Sequence, residues 1–202
     1  MRVLWLIRHG RTVGDVDRRY LGRTDLPMSR DGEAEIERVR RFLAAQPLDR
    51  ILCSDLVRSR RTAEILAAGR AVPIEVEPGL REIDMGAWEG RERAELARAD
   101  PDAWRARGAD LEGFRPPGGE SFADVADRAT KVVSRLALDP SPDHVLICGH
   151  AGVDRVLVAR LLGLPLAAIF RFAQPYGAVS RLEFAADGGA RLTLLAGPAD
   201  LP

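Results

Sequence analysis

Four short apolar runs, at residues 3–7, 50–53, 74–76 and 144–148, alternate along the chain with segments of helical spacing. That alternation is the strongest constraint on the fold. Runs of this length bounded by polar residues read as buried strands, and amphipathic helices between them require parallel neighbours with crossovers on both faces. Ile36, Val39 and Leu43 share one helix face, as do Phe122, Val125, Ala129, Val132 and Leu136, with Ser121 and Asp124 spaced as a cap for the second. Val153, Val156, Leu157 and Leu161 continue the pattern until Gly163 and Pro165. The expected architecture is a three-layer α/β/α sandwich with a mostly parallel sheet. A C-terminal edge hairpin, residues 179–184 and 191–195 about a turn at Asp187, Gly188 and Gly189, completes it.

From about residue 86 to 119 the strand signal disappears, and Trp88, Leu96, Trp104 and Pro116-Pro117-Gly118-Gly119 suggest an insertion of short helices and loops over the site. The tryptophans are expected to pack that insertion onto the body. The 202 residues otherwise suit one domain.

Composition narrows the partners. Lys+Arg 30 balance Asp+Glu 30, so the basic footprint for nucleic acid or anionic lipid is missing, and no apolar run reaches the length of a membrane span. Arg replaces Lys almost everywhere, Lys131 being the only lysine, so only particular arginines carry meaning. Cys53 and Cys148 fall in strand-like runs and read as reduced core thiols, which points to the cytoplasm. The run 156–162 reads as core, and the oligomeric state, a homodimer included, is left open.

Chemistry collects at two of the three histidines. His9 and His150 lie just beyond predicted strands, where open α/β sheets bind ligands, whereas His144 begins a strand at the opposite end. Arg8-His9-Gly10 offers a fork of donors and a close backbone approach to an anion. Arg58 follows the strand at 50–53 by a short loop, so a guanidinium and helix-end N–H groups are expected to converge there. The stretch 80–90, Leu-Arg-Glu-Ile-Asp-Met-Gly-Ala-Trp-Glu-Gly, adds carboxylates for proton transfer.

Taken in order, Arg8-His9-Gly10 with Thr12, Ser54 to Arg58 with Thr62-Ala63, Leu80-Arg81-Glu82 with Gly86, Trp88 and Gly90, and Gly149-His150-Ala151-Gly152 resemble the motifs of the histidine phosphatase superfamily, the phosphoglycerate mutase-like fold. The resemblance runs from the first strand to the last helix. It implies a covalent two-step phosphoryl transfer in which His9 is the nucleophile, Glu82 the proton donor, and Arg8, Arg58 and His150 hold the phosphoryl oxygens. Thr12, Asp15, Gly22 and Ala151 are the further positions expected to bind substrate. No metal or other cofactor is expected, and the partner is a small phosphate ester.

Two positions depart from the family pattern. Asp15 stands where members usually carry Asn, which implies either a weakened phosphate contact or a contact to a cationic part of the substrate, unless Arg11, Arg18 or Arg19 pairs with it. Arg61 replaces a common Gln and reads as surface variation. The stretch 80–90 is similar to the phosphatase branch rather than the mutases, and 117–121 and 170–179 resemble the α-ribazole phosphatases. Mutase-type transfer and a non-catalytic phospholigand-binding module remain the alternatives.

Overall fold

The computed structural model describes residues 1–14, 18–139, 141–185 and 188–197. Asp15 and the hairpin residue Asp187 lie outside the described residues. Six strands, β1 (Val3–Arg8), β2 (Arg50–Cys53), β3 (Ile74–Val76), β4 (His144–Gly149), β5 (Val179–Phe184) and β6 (Ala190–Gly197), form one sheet in the order β3-β2-β4-β1-β5-β6. The first four run parallel, and β5 and β6 are antiparallel to their neighbours, with β6 at the edge.

Period-two alternation divides the core. Val3, Trp5 and Ile7 face one side of the sheet with Ile51, Cys53, Leu146 and Cys148, covered by Ile36 and Val39 of α1 (Arg30–Phe42) and Ala63 and Leu66 of α2 (Val57–Ala67). Leu4, Leu6, Val145 and Ile147 face the other side. There Val125, Ala129 and Val132 of α5 (Phe122–Leu138) and Val153, Val156 and Leu157 of α6 (Ala151–Leu161) cover them. Each of the Val, Leu and Ile side chains among them, taken from water, contributes about 1.5–3 kcal/mol before conformational entropy is counted. Ser121 and Asp124 form a reciprocal capping box that starts α5, as their spacing predicts.

Between the sheet-covering helices, residues 86–119 hold a 3-10 turn at Gly86–Trp88 and two short helices, α3 (Arg93–Ala99) and α4 (Pro101–Ala109). Trp88 is buried, stacks on Tyr20 and meets Phe114 and Trp104 with ring centroids 5.3 and 6.3 Å away. Both tryptophans therefore pack this stretch onto the body. Among the described residues no helix is long and apolar enough to cross a membrane.

The register that matters pairs Arg8 with Gly149 and Cys53 with Cys148. Three parallel strands thus end level, and the residues leaving them meet at one edge. His144 opens β4 opposite Val3, at the other end of the sheet.

Candidate active site

His9 leaves β1 and His150 leaves β4, and their rings come within 5.2 Å, centroid to centroid. Both are buried. His9 Nδ1 lies 2.8 Å from the Gly10 carbonyl, which can only accept, so the neutral ring donates from Nδ1 and keeps its lone pair on Nε2. Burial holds the His9 pKa well below the usual imidazole value, and the charges of Arg8 and Arg58 add to the effect. His150 is lowered for the same first reason, then by Arg58, His9 and Arg8. Its Nε2 is 2.8 Å from Ser54 Oγ, while its buried Nδ1 has no partner among the described residues. Ser54 Oγ also accepts from the Leu56 N–H at 3.3 Å, and with its own proton given to Nε2 the ring presents Nδ1–H.

Arg58, in the first turn of α2, is only 3% exposed. It donates from Nη1 to the Thr24 carbonyl at 2.8 Å and from Nη2 to the Gly22 carbonyl at 2.7 Å. Those carbonyls belong to a loop organised by Glu89, whose Oε1 accepts from the Gly22 N–H, the Thr24 N–H and Thr24 Oγ1 at 2.7–2.8 Å. Gly22 is confined by close approach, since a Cβ there would sit 2.0 Å from the Ile83 carbonyl oxygen. Gly22 thus supports Arg58 through its carbonyl, and its N–H is committed to Glu89. One sequence expectation needs correction. The Val57 N–H at the start of α2 donates to Asp25 at 2.7 Å, so the guanidinium reaches the site while this helix-end donor turns away.

Glu82 is buried against the start of α6, with Oε1 accepting from its neighbour Ile83 at 2.9 Å and Oε2 from the Gly152 N–H at 3.0 Å. Arg128 donates to the Glu82 carbonyl at 3.1 Å and also holds Glu120, which accepts from the Asp84 N–H at 3.0 Å. The Pro-Gly-Gly-Glu-Ser stretch therefore stiffens the segment that carries Glu82. Arg8 donates from Nη1 to the Gln174 carbonyl at 2.6 Å, and the Tyr176 ring centroid lies 3.8 Å from its guanidinium carbon.

Arg8, His9, Thr12, Arg58 and Glu82 line one cleft of about 40 Å³, walled by Leu21, Leu26 and Tyr176. Thr12 Oγ1 is buried there with no partner among the described residues. The cleft shares Arg8, Leu21, Glu82 and Tyr176 with a second cavity of about 370 Å³, to which Ala151, Arg19, Arg93, Arg155 and Phe170 contribute. Because Phe170 is 51% exposed, that cavity reaches solvent. A larger groove of about 730 Å³ along α5, lined by Lys131, Arg135 and Arg160, carries none of these groups.

Most of the residues singled out in the sequence are therefore brought to one place. His144 is not. Arg61 is exposed and pairs with Glu33 at 2.7 Å, as surface variation would. Burial pushes the Cys148 thiol well above its ordinary value and Cys53 up to about 11, so neither is a ready nucleophile. Tyr176, Gln174 and Arg155 were not predicted individually. The only signal for the first two was the stretch 170–179.

A neutral buried imidazole with an open Nε2, lining one small cleft with two guanidiniums and a carboxylate, brings together a nucleophile, anion-binding cations and a proton-transfer group, the parts that phosphoryl transfer requires. The model of the histidine phosphatase superfamily (branch 1) matches residues 4–196, and the chain belongs to that superfamily. It is 34% identical over 192 residues to an adenosylcobalamin/alpha-ribazole phosphatase of Salmonella typhimurium, covering 95% of each chain. It is also 33% identical to a probable phosphoglycerate mutase of Erwinia tasmaniensis, covering 91% of this chain and 85% of that one. A crystal structure of a putative alpha-ribazole-5'-P phosphatase from Escherichia coli superposes with a TM-score of 0.89 at 30% identity, over 97% and 96% of the two chains. The activity class is that of a phosphatase, a hydrolase of phosphate esters.

Proposed function

We propose that His9, Glu82, Arg8, Arg58 and His150 form the machinery of a phosphomonoesterase acting on a small metabolite, with α-ribazole 5′-phosphate, the compound named for its relatives, as the substrate. The observation that carries this reading is the Nδ1 hydrogen bond of His9, which aims the nucleophilic lone pair away from the backbone. In the first step Nε2 attacks phosphorus, the ester P–O bond breaks, and Glu82 acts as the acid that gives a proton to the leaving oxygen. Water then attacks the phosphohistidine, Glu82 takes its proton, the N–P bond breaks, and His9 is restored with inorganic phosphate released. Arg8, Arg58, His150 Nδ1–H and Thr12 Oγ1 hold the non-bridging oxygens and offset their charge, with Ala151 at the mouth of α6 beside the leaving group.

Mutase-type transfer needs a phosphoenzyme shielded from water, and the solvent-reaching cavity beside the cleft favours hydrolysis instead. The free, buried Cys53 and Cys148 support a reducing compartment, and we read the protein as cytoplasmic.

The test is hydrolysis of α-ribazole 5′-phosphate beside 3-phosphoglycerate, sugar phosphates and nucleotide monophosphates, with His9→Ala as control. Acid-labile phosphate should be trapped on wild type and absent from the variant. A strong preference for the ribazole ester is the expected result, flat and weak hydrolysis would remove that substrate, and activity equal to His9→Ala would leave a phospholigand-binding module.

A further inference from the structure

Buried polar groups outside the cleft form a chain that ends on it. Asp154, in the first turn of α6, is fully buried, and its Oδ2 accepts from Gln174 Nε2 at 3.1 Å. Gln174 is itself 4% exposed, and its backbone carbonyl is the one that receives Arg8 Nη1. Two residues further on, Tyr176 covers the same guanidinium. The other carboxyl oxygen of Asp154 occupies the space beside Gly149, where a Cβ would lie 2.0 Å from it, so the group is wedged against the turn that delivers His150. A buried carboxyl is costly, and an apolar side chain would fill this helix position without that cost. The hydrogen bond to Gln174 is what an apolar residue could not make.

We propose that Asp154 is a positioning residue for phosphoryl binding: acting through Gln174, it fixes the carbonyl that holds Arg8 and the turn that carries Tyr176. This rests on Arg8 being a phosphoryl ligand, as proposed above. The groups facing Asp154 are Arg8 from β1, Glu82 from the segment after β3, Arg155 on its own helix, Cys148 on β4 and Gln174. Burial pushes its carboxyl up to about 8, with Glu82 adding to the shift and Gln174, Arg8 and Arg155 opposing it. At neutral pH the group is therefore protonated and adds no negative charge beside a phosphate dianion. Above that pH it ionises and competes for Arg8. His9 and His150 titrate well below this window, and Cys148 well above it.

The experiment measures inorganic phosphate binding by calorimetry and kcat and KM on an aryl phosphate from pH 6 to 9.5. Wild type is compared with Asp154→Ala, Asp154→Asn and Gln174→Leu, each checked for folding by thermal melting. Asp154→Ala and Gln174→Leu should each weaken phosphate binding about ten-fold, the equivalent of one buried hydrogen bond, and raise KM more than they lower kcat. The double variant should be no worse than either single one, because both cut the same connection. Asp154→Asn keeps an oxygen for Gln174 and should recover most of the affinity while removing the alkaline weakening expected of wild type. Folded Ala and Leu variants that bind phosphate like wild type would overturn the proposal, as would an alkaline limb that persists in Asp154→Asn. A wild type that binds phosphate without hydrolysing any ester would overturn the phosphatase reading alone, and the phosphate affinities would still decide the role of Asp154.

Discussion

Replacing Glu82 by Gln separates proton delivery from phosphoryl binding, and its effects on stability and on rate have different sizes. The two carboxyl oxygens each accept a backbone N–H, from Ile83 at 2.9 Å and Gly152 at 3.0 Å. A glutamine of the same shape has one oxygen and one NH₂, so whichever way it turns, one donor meets another. A buried N–H left without an acceptor costs about 1–3 kcal/mol. For a chain of this length each kcal/mol lowers Tm by roughly 2–4 °C. The chemical loss is larger and depends on the ester. An alkyl ester whose leaving oxygen needs a proton should lose on the order of 10²–10⁴ in kcat/KM. A 4-nitrophenyl ester leaves as a stable phenolate and should lose no more than roughly ten-fold. The assay is kcat/KM on ribosyl and 4-nitrophenyl phosphates for both proteins, with thermal melts alongside. Equal losses on the two esters would refute Glu82 as the acid, and an unchanged Tm would refute the claim that both of its oxygens are needed as acceptors.

Other outcomes follow from the same geometry. His9 and His150 have folded pKa values well below the unfolded 6.5, so as pH falls through and below 6.5 the unfolded chain binds protons that the folded chain refuses. Stability should therefore fall with acidity, by about 1.4 kcal/mol per pH unit for each histidine until its folded pKa is reached. Urea unfolding between pH 7 and 5 measures the slope, and a His150→Ala variant with the slope of wild type would contradict it. The same shift should keep His9 nucleophilic below pH 6.5. Gly22→Ala sets a Cβ 2.0 Å from the Ile83 oxygen and moves the carbonyl that anchors Arg58. It should cost about 1–3 kcal/mol of stability and raise KM for phosphate esters, and a variant neutral in both melts and kinetics would show that the loop is softer than its contacts imply.

Much of this was legible along the chain because the signals are local. Strand 50–53 carries its own apolar run and is buried, whereas 74–76 forms its strand at the sheet edge with all three residues exposed, so its run marked the strand but not its burial; the residues of β1 alternate between two cores with the period of the pleat. Ser121 and Asp124 are three residues apart and cap α5 by that spacing alone. Leu43, placed on the face of α1 by its spacing, lies just past the helix end yet remains buried, because the stripe continues into the core. The direction of the helix-end donors at Val57 was not legible. Asp25, 32 residues away, takes that N–H, and nothing near either residue announces the pairing.

The sequence by itself determined the sheet, its covering helices and the arrival of two histidines at strand ends, because periodicity and strand termini are properties of neighbouring residues. Tertiary structure alone decided which nitrogen of His9 is open, how far burial and two guanidiniums lower its pKa, and that Arg8 is held by a carbonyl 166 residues away. It also linked Asp154, Gln174 and Tyr176 to Arg8, from a helix and a turn that the chain order keeps apart from β1. Hydrogen-bond partners and local dielectric depend on what packs across the sheet, and that is set by the closing of the whole chain rather than by any stretch of it.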